Sequence, residues 1–99
     1  MDSGAHRILI SQAWRTYVPR SALQSSAFCT MGCALPLATG AKLADPGRVV
    51  VAFMGDGGLE MVLGELITLR DLGLPVIVIV FVDASLAPVS YTHLTLPTN

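Results

Sequence analysis

Two acids and three glycines are the residues best placed to do chemistry in this chain. Asp56 lies within Gly55-Asp56-Gly57-Gly58, directly after the apolar run Val49-Val50-Val51-Ala52-Phe53-Met54. Asp83 closes a second apolar run, residues 76–82, and stands 27 positions after Asp56. Gly55, Gly57 and Gly58 let backbone N–H groups approach an anion without side-chain obstruction. A helix starting there would add its positive end. An aspartate in such a turn repels bare phosphate and makes sense if a cation stands between them. Mg²⁺ suits that place, because it takes hard oxygen ligands and shares its shell with substrate phosphates. The alternative role for Asp56 is to cap the helix, and for Asp83 to be an ordinary loop acid.

The elements that must position these residues can be read on either side of them. Residues 48–54 predict a strand and residues 59–72 a helix. In that helix Glu60, Gly64, Thr68 and Asp71 mark the polar face. Gly73 suits a left-handed cap, Pro75 forbids continuation, and residues 76–82 predict a second strand. Neither strand alternates, so both faces are expected to be buried, as in a parallel sheet. Strand, helix and strand with a right-handed crossover make a βαβ unit whose strand ends lie together, which would bring Asp56 and Asp83 close. The class is α/β: part of a doubly wound parallel sheet with flanking helices.

Upstream, Ile8, Leu9, Ala13, Trp14 and Tyr17 recur at helical spacing and predict a short helix that Pro19 ends. Asp2-Ser3-Gly4 is turn-like, and residues 21–28 predict a short strand around Leu23. Residues 29–44 read as a loop entering a helix, with Pro36 in the first turn. Ala34, Ala38, Ala41 and Ala44 form a small-residue stripe suited to close packing. Asp45-Pro46-Gly47 signals a turn.

Bulk properties narrow the function classes. Ninety-nine residues allow at most one small domain, yet 53% are hydrophobic, 13% are charged, and the mean hydropathy is +0.64. That balance fits a piece whose apolar surface belongs against something else. A net charge of −1 gives no electrostatic case for nucleic acid or an anionic membrane. The longest apolar run, residues 74–82, falls far short of the roughly 20 residues of a membrane span. No basic-then-apolar leader opens the chain. Cys29 and Cys33 lack redox or zinc spacing and read as small apolar fillers in a reducing compartment, which implies a cytoplasmic location.

Several blocks, in order, resemble the thiamine diphosphate motif of acetolactate synthase-like enzymes. They are Pro19-Arg20; Thr30-Met31-Gly32 followed by Leu35-Pro36, Ala38 and Gly40-Ala41-Lys42; Gly55-Asp56-Gly57; Glu65-Leu66 and Thr68; and Leu74-Pro75-Val76 with the apolar strand after it. The resemblance covers residues 2–87 and implies a part of the C-terminal diphosphate-binding domain. It implies Mg²⁺ ligands at Asp56, Asp83 and the Ser85 carbonyl, with Gly55, Gly57 and Gly58 at the diphosphate. Gly4, Ala5 and His6 match the loop that reaches the diphosphate from the other side. Met31 matches the residue that props the cofactor in its bent shape. The Cys29 carbonyl and the Met31 backbone would meet the aminopyrimidine. The chain departs from the family at Asp83, where asparagine is usual, at Cys29, where glycine is usual, and at Ser3 and Ala5.

The activity so implied is decarboxylation or carboligation of a 2-oxo acid, with the cofactor as electron sink. The family's glutamate that activates the aminopyrimidine belongs to a separate N-terminal pyrimidine-binding domain, missing here, so the whole enzyme would be a homodimer or homotetramer. Two other readings stay open: a non-catalytic module that binds Mg²⁺ with a phosphate or nucleotide at a strand-end crevice, and a purely structural α/β piece. Residues 88–99 carry two prolines and no charged side chain. They resemble translated adapter read-through and are expected to be a non-native tail.

Overall fold

The structure, a computed structural model, describes residues 1–82. Two strands, β1 (Val51–Gly55) and β2 (Ile77–Phe81), pair in parallel with Val51 opposite Ile77 and Gly55 opposite Phe81. Among the described residues four helices flank them: α1 (Ala5–Ala13), α2 (Ala34–Ala44), α3 (Asp56–Met61) and α4 (Glu65–Leu72). The α/β class and the parallel βαβ pairing are as the sequence predicts. The expected positions of Asp83 and Ser85, and the tail at 88–99, lie outside the described residues.

Side chains of paired residues in a parallel sheet share a face. Ala52 and Met54 of β1, with Val78 of β2, point toward α2 and α4. There Leu35 and Met54 are fully buried, and Ala34, Ala38, Ala52 and Leu69 complete the core. The alanine stripe works as expected at its first half. Ala34 and Ala38 are buried and let α2 approach β1, while Ala44 at the far end is exposed. Lys42 is buried too, with Nζ donating to the Arg48 carbonyl. Pro46 and Gly47 turn the chain, closed by Arg48 N–H to the Asp45 carbonyl at 3.1 Å.

The opposite face carries Phe53, Ile77, Ile79 and Phe81. Helix α1 covers it only in part, through its two ends. His6 stacks on Phe81, and Trp14 meets Phe53 edge-on with centroids 5.6 Å apart. Ile77 is 52% exposed and Phe81 44%, so the expectation of two buried faces fails for β2. No second layer among the described residues reaches that far along this face.

Three further expectations are corrected. The helix expected over residues 59–72 is two helices. At the junction Val62 sits at φ −130° and ψ 23°. The N–H groups of Val62, Glu65, Leu66 and Ile67 bond three residues back instead of four. A β-branched valine and the nearby Gly64 both weaken helix there. The first helix ends at Ala13, not near Tyr17, because Trp14 turns extended (ψ 128°) as its ring meets Phe53. Residues 21–28 form no strand; the Leu23 carbonyl accepts from the N-terminal amine at 2.8 Å rather than from a neighbouring strand.

The end of α4 matches its reading closely. Gly73 takes φ 63° and ψ 33°. The Leu74 N–H reaches the Leu69 carbonyl at 3.0 Å and the Gly73 N–H the Arg70 carbonyl at 3.1 Å. Together these bonds are a Schellman closure. Leu69 and Leu74 both join the core beneath it, which aims the chain into β2.

A cleft of about 490 Å³ touches Val49, Val50, Val51, Ala52 and Phe53 in succession. Consecutive strand residues face opposite ways, so such a cleft runs along the free edge of β1, not over a face. Trp14, Val18 and Leu23 form its other wall.

Candidate functional site

The site lies at the carboxyl ends of β1 and β2, where chain direction and register place Gly55 level with Phe81. Gly55, extended at φ −81° and ψ 164°, is the N-cap of α3. Asp56, Gly57 and Gly58 therefore do not form a free turn, as expected, but the first turn of that helix. The cap position falls to Gly55, and Asp56 stands one residue inside, where an acid complements the positive helix end.

The N-terminal segment arrives at the same place. Gly4 is the N-cap of α1 at φ 153°, a conformation that L side chains rarely adopt. Ala5 and His6 belong to the first turn of α1, so the expected loop ends at Gly4. The His6 ring packs over Gly4, and a Cβ at Gly55 would lie 3.7 Å from it. It stacks on Phe81 with centroids 5.5 Å apart. Two helix N-termini thus meet at one strand end. Burial lowers the His6 pKa from its usual 6.5; the N-terminal amine adds to this, and Asp2 and the Phe53 carbonyl oppose it. Ser3 Oγ and His6 Nε2 are buried without a hydrogen-bond partner among the described residues. Such atoms are costly to leave unmatched. An oxyanion at this end would give Ser3 Oγ an acceptor, and His6 Nε2 one as well when that nitrogen is protonated.

The third contribution comes from the loop before α2. Met31 is half-buried, and Gly32 beside it is held at φ 86° against Val62 and the Gly58 carbonyl. Cys29 is exposed at φ 52°, backbone in which glycine is at ease. Its sulfur accepts from Arg7 Nη1 at 3.1 Å, which sets the loop against α1. The structure therefore brings Gly4, Ala5, His6, Gly55, Asp56, Gly57 and Gly58 to one end of the sheet, with Met31 adjoining and Cys29 farther out.

Asp2 is not among the expected site residues, and Gly32 enters the sequence reading only within the Thr30-Met31-Gly32 block. Asp2 is fully buried, with Oδ2 2.9 Å from the Gly32 N–H and Oδ1 3.5 Å from the Cys33 sulfur. Burial first, then the Asp2 hydrogen bond and charge, raises the Cys33 thiol above its usual 9.0. The one available signal for Asp2 was an acid directly ahead of Gly4-Ala5-His6, which read as a turn. Among the described residues no three or more His, Cys, Asp or Glu side chains gather as a metal site. Of the expected Mg²⁺ ligands only Asp56 lies within them. The cleft along the edge of β1 is elsewhere, since neither His6 nor Asp56 lines it.

The family described as thiamine pyrophosphate enzyme, C-terminal TPP binding domain, matches residues 2–96. The chain belongs to that family. Acetolactate synthase of Bacillus subtilis is 39% identical over 94% of this chain. The acetolactate synthase large subunit of Lactococcus lactis is 36% identical over 89%, and the isozyme 1 large subunit of Escherichia coli 40% identical over 86%. The chain spans only about 16% of the length of the Bacillus relative and 15% of the other two. No helix among the described residues is long and apolar enough to cross a membrane.

Proposed function

We propose that this TPP binding domain holds the diphosphate of thiamine diphosphate through Mg²⁺, within a longer acetolactate synthase-like enzyme acting on 2-oxo acids. The observation that carries the reading is the meeting of two helix N-termini at the carboxyl ends of two parallel strands. Gly4, Ala5 and His6 approach from α1, and Gly55, Asp56, Gly57 and Gly58 from α3. Partial positive charge from both helices favours an anion there. Asp56 is reconciled with a diphosphate by the intervening cation, for which Asp83 and the Ser85 carbonyl are the further proposed ligands.

When bound, the cofactor supplies the electron sink for loss of CO₂ from a 2-oxo acid. The chain's own residues do the placing. Gly57 and Gly58 offer backbone N–H groups without side-chain obstruction, and Ser3 Oγ and His6 Nε2 have no other partner among the described residues. Met31 stands on the side proposed for the aminopyrimidine, with the Cys29 carbonyl beyond it. The glutamate that activates that ring would come from the N-terminal pyrimidine-binding domain of the enzyme, in a homodimer or homotetramer. A cytoplasmic location goes with this reading.

The second reading, a Mg²⁺–nucleotide module, rests on the same strand-end crevice. Calorimetric titration separates them. Thiamine diphosphate should bind only with Mg²⁺, and ATP should neither bind as tightly nor displace it. Tighter binding of ATP would transfer the site to the nucleotide reading, and no heat with either ligand would leave a structural piece.

A further inference from the structure

Asp2 is 0% exposed and carries a carboxylate, a group that is costly to bury unless it is hydrogen-bonded. It is bonded or packed in three directions. Its N–H donates to the Phe53 carbonyl at 2.9 Å, near the end of β1. Its Oδ2 accepts from the Gly32 N–H at 2.9 Å, and its Oδ1 from the Cys33 thiol at 3.5 Å. The raised Cys33 pKa keeps that sulfur a donor. Against the same carboxylate lies Gly58, where an added Cβ would overlap Oδ2. Gly58 is buried in the first turn of α3 and its carbonyl faces Gly32.

One residue thus holds the strand end through its backbone N–H, and through its carboxylate the loop holding Met31 and the helix holding Gly57 and Gly58. It also stands two residues ahead of Gly4. We propose that Asp2 is a positioning residue, its carboxylate fixing the Met31 loop against the first turn of α3 so that both sides of the thiamine diphosphate site keep their spacing. This rests on the cofactor reading above. Asp2 is fully buried with its carboxylate against Gly58, so a longer glutamate would have to displace one of these neighbours.

The test uses the chain itself with Asp2→Ala and Asp2→Asn, read by amide hydrogen exchange and by thiamine diphosphate titration in Mg²⁺. Loss of one buried hydrogen-bond acceptor should speed Gly32 exchange about tenfold and weaken cofactor affinity about tenfold in Asp2→Ala, with core amides at Ala52 and Met54 unchanged. Asp2→Asn retains an acceptor oxygen and should restore most of both. Should Asp2→Ala not fold, Gly58→Ala displaces the same carboxylate and should reproduce the two effects.

Unchanged Gly32 exchange, or equal acceleration throughout the core, overturns the inference. So does wild-type cofactor affinity in Asp2→Ala. A wild-type chain that binds no thiamine diphosphate overturns the cofactor reading first, and the role of Asp2 within it; binding that is indifferent to Asp2 overturns this inference alone.

Discussion

The His6 imidazole stacks on the Phe81 ring, with centroids 5.5 Å apart and planes 15° from parallel. That contact ties the start of α1 to the end of β2, through two residues 75 positions apart along the chain. It also removes the ring from water, the first cause of its lowered pKa. The unfolded chain then binds the His6 proton more readily than the folded one. The stability this contact contributes is fully present above the usual 6.5 and declines as pH falls below it. The melting temperature should therefore drop between pH 7.5 and 5.5, and His6→Phe, which keeps a stacking ring, should flatten that part of the profile. An unaltered profile in His6→Phe would show that other groups govern it.

Asp56 is the proposed Mg²⁺ ligand that lies within the described residues. Asp56→Ala should abolish the dependence of thiamine diphosphate binding on Mg²⁺ and weaken binding at saturating metal by about tenfold or more, since a lost charged ligand is costly. The fold should survive, because Asp56 is half-exposed at a helix end, outside the core. Circular dichroism and calorimetry on the same sample check both parts. Retained metal dependence would move the ligand elsewhere.

Gly73 can be tested without touching the site. Its left-handed backbone closes α4, and nothing lies within 4 Å of an added Cβ. Gly73→Ala should therefore cost only the backbone term, roughly 1–2 kcal/mol. Denaturant unfolding measures this, and cofactor binding should not change.

The chain by itself should not turn over substrate. Purified chain with pyruvate, thiamine diphosphate and Mg²⁺ should release no CO₂ above a cofactor blank, because the proposed glutamate belongs to another domain. The uncovered apolar residues Ile77, Ile79 and Phe81 point the same way, as a face made to be covered. Clear turnover would falsify the reading that another domain completes the site.

Local signals decided the parts that depend on backbone chemistry. A left-handed glycine followed by Leu74 and Pro75 set the end of α4, and the proline turn set the end of α2. Two β-branched runs of the right length became parallel strands. The glycine and acid block at 55–58 marked the strand end that collects most of the candidate residues. Each of these needs only a few neighbouring residues to specify it, so pattern and propensity suffice.

Tertiary packing decided the rest. Whether Asp56 stood in a turn or a helix depended on Gly55 taking the cap, and the Val62 side chain at the helix break lies against Gly32, 30 residues earlier. The exposure of β2 depended on how far α1 reaches across the sheet. Asp2 is the clearest case. As sequence it is a polar residue in a turn, and nothing adjacent marks it for burial. Only the fold puts Gly32, Cys33 and Gly58 around its carboxylate. Those partners lie at least 30 residues away along the chain, and a buried carboxylate is stable only where such distant donors converge.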